Sequence, residues 1–375
     1  MRYAYLYWLI ISKAYPQPWN NAFEQLVDLV ESTSDSMLFL KFVFAVLEQL
    51  NDSIIEREAN TTNEDLEVST RIKDAMRTGD VLRIVNLCKT VLDNYTQCDK
   101  DIVIGAIDTL ADLIDWNSLD LFESSFEVIT QLLDVKEYQQ NALYCFYSFM
   151  HKGMDSAKKI QLIRDIDIIS KIKSFSIDPE DYELWQSISD VISKLGFLIL
   201  EIVETAEENA IYVEDAQSLL LDLLVLNIMF LECEDIKSSQ YIVRFVNAMV
   251  LYLKKIKDLN ETLTEILVKI QDICIQKIEY PEWWTFDDGN LGADEENYKI
   301  LRLDLVNLFT NTLLIPQLKI RAFEIVQQKM AEMRGRVTEF SQNQVELPLF
   351  LLTQTHTIIS RENKDFISRF YQLNV

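Results

Sequence analysis

The side chains in this sequence that could do chemistry are few and mostly of one kind. His151 and His356 are its two histidines, no C-x-x-C, H-E-x-x-H or G-x-x-x-x-G-K-[ST] pattern occurs, and no pair of carboxylates is set apart by apolar neighbours. A catalytic triad, a metal centre and a phosphate-cradling loop therefore all lack their parts, and neither an enzyme nor a cofactor or metal site is expected. What remains is basic residues at helical spacing. Lys73 and Arg77 stand four apart in the segment Glu56 to Arg77, so they project from one side of one helix. Such a face can pair with phosphates; the simpler alternative is a solvated surface or salt bridges to neighbouring helices.

The elements that must position these side chains are helices. Seven Gly and six Pro in 375 residues leave few tight turns, and about half the chain is apolar, which points to an all-α protein with a large core. Trp19, Phe23, Leu26, Val27 and Val30 recur at helical spacing after the Tyr15-Pro16-Gln17-Pro18 break. Helices are expected over 1–13, 19–30, 36–51, 63–77 (starting at Thr61 or Thr62, with Asp65 reaching back to the cap), 81–94, 99–114, 119–133 and 136–150. The series continues with a basic-faced helix over 156–173, then 178–208, 214–231, 238–257, 261–278, 294–314, 316–333, 347–360 and 363–373. Consecutive pairs make units of ~40 residues, the HEAT period, so 1–375 reads as one continuous array of eight to nine helix pairs.

An irregular acidic loop at 280–293 interrupts it. Adjacent Trp283 and Trp284 cannot share one core stripe, so one pins the loop or meets a partner, and pinning is the preferred reading. The five cysteines are odd in number and scattered through apolar segments, as suits a reducing compartment. The apolar run Leu219 to Leu231 falls short of the ~20 residues that span a bilayer.

Charge is unevenly placed in a chain of net charge −25. From Ile177 to Asp235 fifteen Asp or Glu face one Lys, a net of −14, whereas Lys237 to Lys257 carries five basic residues and no acid. His151 to Phe175 has six Lys or Arg against three Asp, and Glu279 to Glu296 has seven acids and no base. Non-specific adhesion to nucleic acid or an anionic membrane is disfavoured for the whole chain. In a solenoid whose paired helices form two walls, sign alternation can still give an acidic outside and a basic inner stripe.

Three stretches carry a family resemblance. The IKDAMR core at Ile72 to Arg77, the KGMD corner at Lys152 to Asp155 leading into a basic helix, and the acidic loop running into a Y...R.dL..L helix, Asp287 to Leu308, occur in an order that resembles exportin-T, the tRNA-export branch of the importin-β superfamily. The resemblance runs from about Tyr15 to Phe309, with the amino-terminal repeats and the carboxyl-terminal part absent.

It implies a HEAT-repeat superhelical solenoid, monomeric, that shuttles between nucleus and cytoplasm past nucleoporins and carries tRNA with RanGTP, reading the RNA by shape and backbone. The tRNA contacts expected on this resemblance are Lys73, Arg77, Arg83, Lys152, Lys158, Lys159 and Arg164, then Lys254, Lys255 and Lys257. Asp287, Asp288, Asp294, Glu295 and Glu296 are the expected Ran contacts, although the amino-terminal repeats with which importin-β relatives grip Ran are expected to be largely absent from this chain. A protein-binding HEAT scaffold, or a karyopherin without tRNA cargo, is the alternative.

Overall fold

Apolar side chains three and four apart give each segment one face to bury, and side-chain caps set where several of the helices begin. Asp155, Asp181, Asp235 and Asn260 accept hydrogen bonds from the backbone N–H groups of Lys158, Leu184, Ser238 and Leu263, at 3.2, 3.1, 2.7 and 2.8 Å. Each satisfies a first-turn donor that has no partner inside its own helix.

The computed structural model describes residues 2–32, 36–54, 63–152, 154–207, 210–256, 259–284, 286, 292–333 and 336–359. Among the described residues there are seventeen α-helices and no strand. The chain divides into two compact units, Met1–Ser176 and Ile177–Val375. Thr61, Thr62, Gly153, Lys257, Asp287, Asp288 and the expected last helix at 363–373 lie outside the described residues, as does the side chain of Asp65.

The first unit holds α1 (Arg2–Ala14), α2 (Ala22–Ser32), α3 (Ser36–Ile54), α4 (Asn63–Met76), α5 (Asp80–Asp93), α6 (Lys100–Ile114), α7 (Glu123–Leu132), α8 (Gln139–His151), α9 (Ser156–Ile166) and α10 (Ile168–Lys173). One row of neighbours runs α1, α3, α6, α8 and a second runs α2, α5, α7, while α2 with α3, α5 with α6 and α7 with α8 pack as pairs. This is the two-walled stacking of HEAT repeats.

Helix α6 is the most enclosed, with Ile102, Val103, Ala106, Ile107, Leu110, Leu113 and Ile114 all buried. Burying each such side chain contributes ~1.5–3 kcal/mol. Gly105 lets α6 approach α3: a Cβ there would stand 3.0 Å from Cβ of Phe44.

The basic-faced helix expected over 156–173 is two helices. Asp167 adopts a left-handed backbone, φ 51°, and its N–H donates to the Arg164 carbonyl at 3.0 Å, ending α9 and turning the chain into α10. Aspartate is one of the few non-glycine residues that tolerates this region.

The second unit holds α11 (Tyr182–Thr205), α12 (Val213–Leu231), α13 (Ile236–Leu253), α14 (Glu261–Ile278), α15 (Ala293–Thr312), α16 (Pro316–Met333) and α17 (Gln342–Ile359). Here α11, α13, α15 and α17 form one row and α12, α14, α16 the other. Helix α11 starts at Tyr182 rather than at Asp178, because Asp178 closes a turn with the Glu180 N–H at 3.0 Å and Asp181 takes the cap. No helix among the described residues is long and apolar enough to cross a membrane.

Candidate nucleic-acid interface

The C-terminal end of α6 is where separate basic blocks meet. A helix end leaves carbonyls without internal partners and carries partial negative charge, so cations settle there. Asn117 Nδ2 donates to the Leu113 carbonyl at 2.8 Å, Arg77 Nη2 donates to the Trp116 carbonyl at 2.6 Å, and Lys152 Nζ donates to the Asp115 carbonyl. Arg77 also pairs with Asp74 at 2.7 Å. Its guanidinium lies 5.4 Å from the centre of the Trp116 ring, and Lys73 Nζ lies 5.9 Å from the same ring, both within cation–π range.

Helix α4 can aim Lys73 and Arg77 this way because Ile72 and Met76, on the adjacent face, are fully buried. A cavity of 470 Å³ adjoins the corner, walled by Asn117, Leu119, Phe126, Phe149, Lys152 and Lys158 among others. Lys158 stands at its edge, 3.6 Å from Glu123.

Four of the ten expected tRNA contacts, Lys73, Arg77, Lys152 and Lys158, are thus brought together. The others are not. Arg83 turns to α2, pairing with Glu24 at 2.6 Å and standing 3.9 Å from Asp28. It belongs to a network that includes Tyr15, whose hydroxyl donates to Asp80 at 2.6 Å; burial pushes the Asp80 carboxyl above its usual range.

Lys159 departs from the expected solvent-facing basic side. It is 7% exposed, on the same face of α9 as buried Ile160 and Ile163. Arg164 is exposed one turn further on. In the second unit Lys254 is exposed, while Lys255 pairs with Glu204 at 2.7 Å.

Of the expected acidic contacts, Asp294 and Glu295 wall a 700 Å³ cavity together with Glu234, Asp235, Trp283 and Tyr182, and Glu296 is exposed on the first turn of α15. Trp283 is 49% exposed and Trp284 only 8%. Trp284 stacks on Tyr280 at 4.7 Å, so Trp284 is the pinning residue.

Sequence reasoning passed over Trp116 and Asn117. The available signal was a tryptophan in the polar Asp115-Trp116-Asn117-Ser118 turn, where no core stripe claims it and a basic helix elsewhere could. The Y...R.dL..L pattern proves architectural. The Tyr298 hydroxyl donates to the Glu279 carbonyl at 2.7 Å, and Arg302 Nε donates to the Ile278 carbonyl at 2.8 Å, both finishing the end of α14. Burial raises the Tyr298 hydroxyl above the usual phenol range.

Stacked helix pairs with buried inner faces define an α-solenoid. Residues 2–146 match the exportin 1-like protein family, which places the resemblance among exportin-like HEAT-repeat proteins. Within that class the likeness is to exportin-T. The chain is 22% identical over 316 residues to exportin-T of Homo sapiens, covering 80% of this chain and 32% of the relative. It is 25% identical over 313 residues to that of Arabidopsis thaliana, covering 79% and 30%, and 22% identical over 320 residues to that of Dictyostelium discoideum, covering 83% and 28%. The chain therefore spans about a third of the length of the curated relatives it matches.

Proposed function

We propose that this chain is the RNA-holding part of a nuclear export receptor whose cargo is tRNA, bound by shape and backbone together with RanGTP. The carrying observation is the convergence of Lys73, Arg77 and Lys152 on the end of α6, with Lys158 alongside. Residues as far apart in sequence as Lys73 and Lys158 build one basic corner, on a fold similar to exportin-T. Its chemistry suits phosphates: guanidinium and ammonium groups at a corner already ordered by packing, with strong salt dependence.

The acidic cavity at Asp294 and Glu295 is the proposed contact for a basic patch on RanGTP. Passage between nucleus and cytoplasm, past nucleoporins, belongs to the same reading. The test is tRNA binding over a salt series, with and without GTP-loaded Ran. The triple variant Lys73→Glu, Lys152→Glu, Lys158→Glu should weaken binding at least tenfold and flatten the salt slope. An unchanged slope removes these residues from the interface.

A second reading has its own observation. Arg77, Lys152 and Lys158 each already have a partner inside the protein, as a protein-binding scaffold would require. Failure of the chain to be retained on immobilised tRNA, with Ran present, would favour it.

A further inference from the structure

Trp284 pins the 280s, and Trp283 beside it stays 49% exposed although it meets the Tyr298 ring edge to face at 5.8 Å. Trp283 lines the 700 Å³ cavity of the second unit, and so does Tyr182 of α11, which is 50% exposed. Aromatic side chains left open to solvent inside a concavity are the usual walls of a ligand site.

The same wall carries Glu234 and Asp235 at the turn into α13, Asp294 and Glu295 on the first turn of α15, and one base, Lys237. Four carboxylates against one ammonium leave this lining a net charge of −3. Elsewhere in the unit neighbouring helices neutralise such groups: Glu204 pairs with Lys255, Glu232 with Lys269 and Asp272 with Arg321, at 2.7, 3.1 and 2.6 Å. None of the four cavity carboxylates has a salt-bridge partner among the described residues, and Asp235 accepts from neutral donors, the Ser238 N–H at 2.7 Å and the Gln186 amide at 3.3 Å. The buried Lys277 ammonium interacts with Asp235 and Glu234 at longer range but gives its hydrogen bonds to the Cys233 carbonyl and Ser239 Oγ. Like charges gathered without counter-charges repel, and a cation from solution relieves that repulsion. An aromatic wall adds a cation–π attraction to it.

We propose that this cavity binds a free linear polyamine, an alkyl chain with ammonium groups along its length. The two carboxylate pairs stand on different elements, so one ligand must present cations at two separate places. A lone lysine or arginine side chain would neutralise one pair and leave the other bare. The ammonium ends of the polyamine pair with Glu234 and Asp235 on one side and with Asp294 and Glu295 on the other, while the methylenes between them cover Trp283 and Tyr182. A triamine matches the net charge of the lining. The inference goes beyond the RanGTP reading of the same carboxylates and does not depend on it: the amine needs no protein to bind, and the two ligands compete where both are present.

Isothermal titration calorimetry of the full chain with spermidine, at constant ionic strength, is the measurement, with butylamine as the single-amine comparison and magnesium chloride as the inorganic one. Spermidine should fill one saturable site about tenfold or more tighter than butylamine, since its amines are linked. Trp283→Ala leaves every charge in place and should weaken spermidine about fivefold, the worth of one cation–π contact. Tyr182→Ala provides a second ring variant should circular dichroism show Trp283→Ala to be unfolded. The double variant Asp294→Asn, Glu295→Gln should weaken binding about tenfold or more. Glu201→Gln, Glu214→Gln makes the same change of charge on exposed residues outside the cavity and should leave binding unchanged.

Equal weakening by the two double variants, unchanged binding in both ring variants, or displacement of spermidine by magnesium at equal concentration would show that only the general field of an acidic protein holds the amine, and overturns the site. If spermidine does not bind while RanGTP binds and is lost with Asp294→Asn, Glu295→Gln, these carboxylates serve a protein partner alone and the polyamine site falls. Spermidine binding that this double variant abolishes, with RanGTP binding unaffected by it, upholds the site and removes the RanGTP contact instead.

Discussion

Arg77 donates to the carbonyl of Trp116 at 2.6 Å while its guanidinium covers the indole of the same residue at 5.4 Å. One side chain thus ties α4 to the end of α6 through a hydrogen bond and a cation–π contact. The device recurs: Lys152 holds the Asp115 carbonyl, Lys277 the Cys233 carbonyl past α12, and Arg302 the Ile278 carbonyl of α14. In a stack of helices, each end presents carbonyls with no partner in its own helix. A long basic side chain from a neighbouring helix both satisfies them and opposes the helix dipole.

Replacing Arg77 by Met keeps the stem and removes the donors. The side chain is 46% exposed, so solvent screening limits the loss. Arg77→Met is expected to lower stability by about 1 kcal/mol, read as a shift in the urea midpoint. Arg77→Lys should restore only part, because a lysine lacks the planar fork that spans Asp74 and the Trp116 carbonyl. Full recovery by lysine would show that charge alone matters here.

Gly196 lies where α11 crosses α13, and a Cβ there would come within 2.6 Å of the Phe245 ring. Phe245 is fully buried, so the ring has nowhere to yield. Alanine gains about 1 kcal/mol in helix propensity over glycine, yet overpacking typically costs about 1–3 kcal/mol. Gly196→Ala should therefore give no net gain or a net loss in denaturant unfolding, with the co-variant Phe245→Leu recovering it. A clear stabilisation by alanine alone would mean that the helices separate at little cost.

Much of the array was legible because helix formation depends on local spacing. The helices expected over 99–114 and 214–231 are present as α6 and α12, with Ile102 to Ile114 supplying much of the buried face of α6. The break at Asp167 was not readable, since aspartate usually starts helices and here ends one through a left-handed backbone. The basic corner was half legible. Spacing put Lys73 and Arg77 on one face, but Trp116, which gathers them, sits about forty residues away, and only folding brings it near. Lys159 was misplaced because spacing gives relative faces along a helix and not which face the neighbours cover; Ile160 and Ile163 set that.

Arg302 is 12% exposed, paired with Glu346 through both carboxylate oxygens at 2.8 and 2.9 Å, with its guanidinium 3.9 Å from the centre of the Tyr280 ring and 4.4 Å from that of Phe350. Removing one member of a largely buried pair leaves an uncompensated charge and costs about 3–5 kcal/mol. Glu346→Leu should fall near that range. The double variant Arg302→Met, Glu346→Leu should recover a large part, since no lone charge remains. Limited proteolysis offers a second readout, because Tyr280 loses its hydrogen bond from Arg302 Nη1 and the 280s should be cut faster. Single and double variants of equal stability would sink the argument.

Lys277 joins α14 to the start of α13, donating to the Cys233 carbonyl and to Ser239 Oγ at 2.8 Å. Burial lowers its ammonium from 10.5 to about 8, against the raising influence of Cys233, Asp235, Glu234 and Cys274. The native protein then releases this proton near pH 8 and the unfolded chain only near 10.5. Within that window the unfolded state binds more protons, so this group makes stability rise with pH. Below the window the native state bears the cost of a desolvated charge. Lys277→Met removes the titration, so the stability of the unmodified chain minus that of the variant should increase from pH 7.5 to 9.5, by about 1–2 kcal/mol. Urea unfolding of both proteins at the two pH values measures this difference, and the other titrating groups cancel in it. A difference that stays flat would mean that the hydrogen bonds to Cys233 and Ser239 hold the ammonium charged across the whole range.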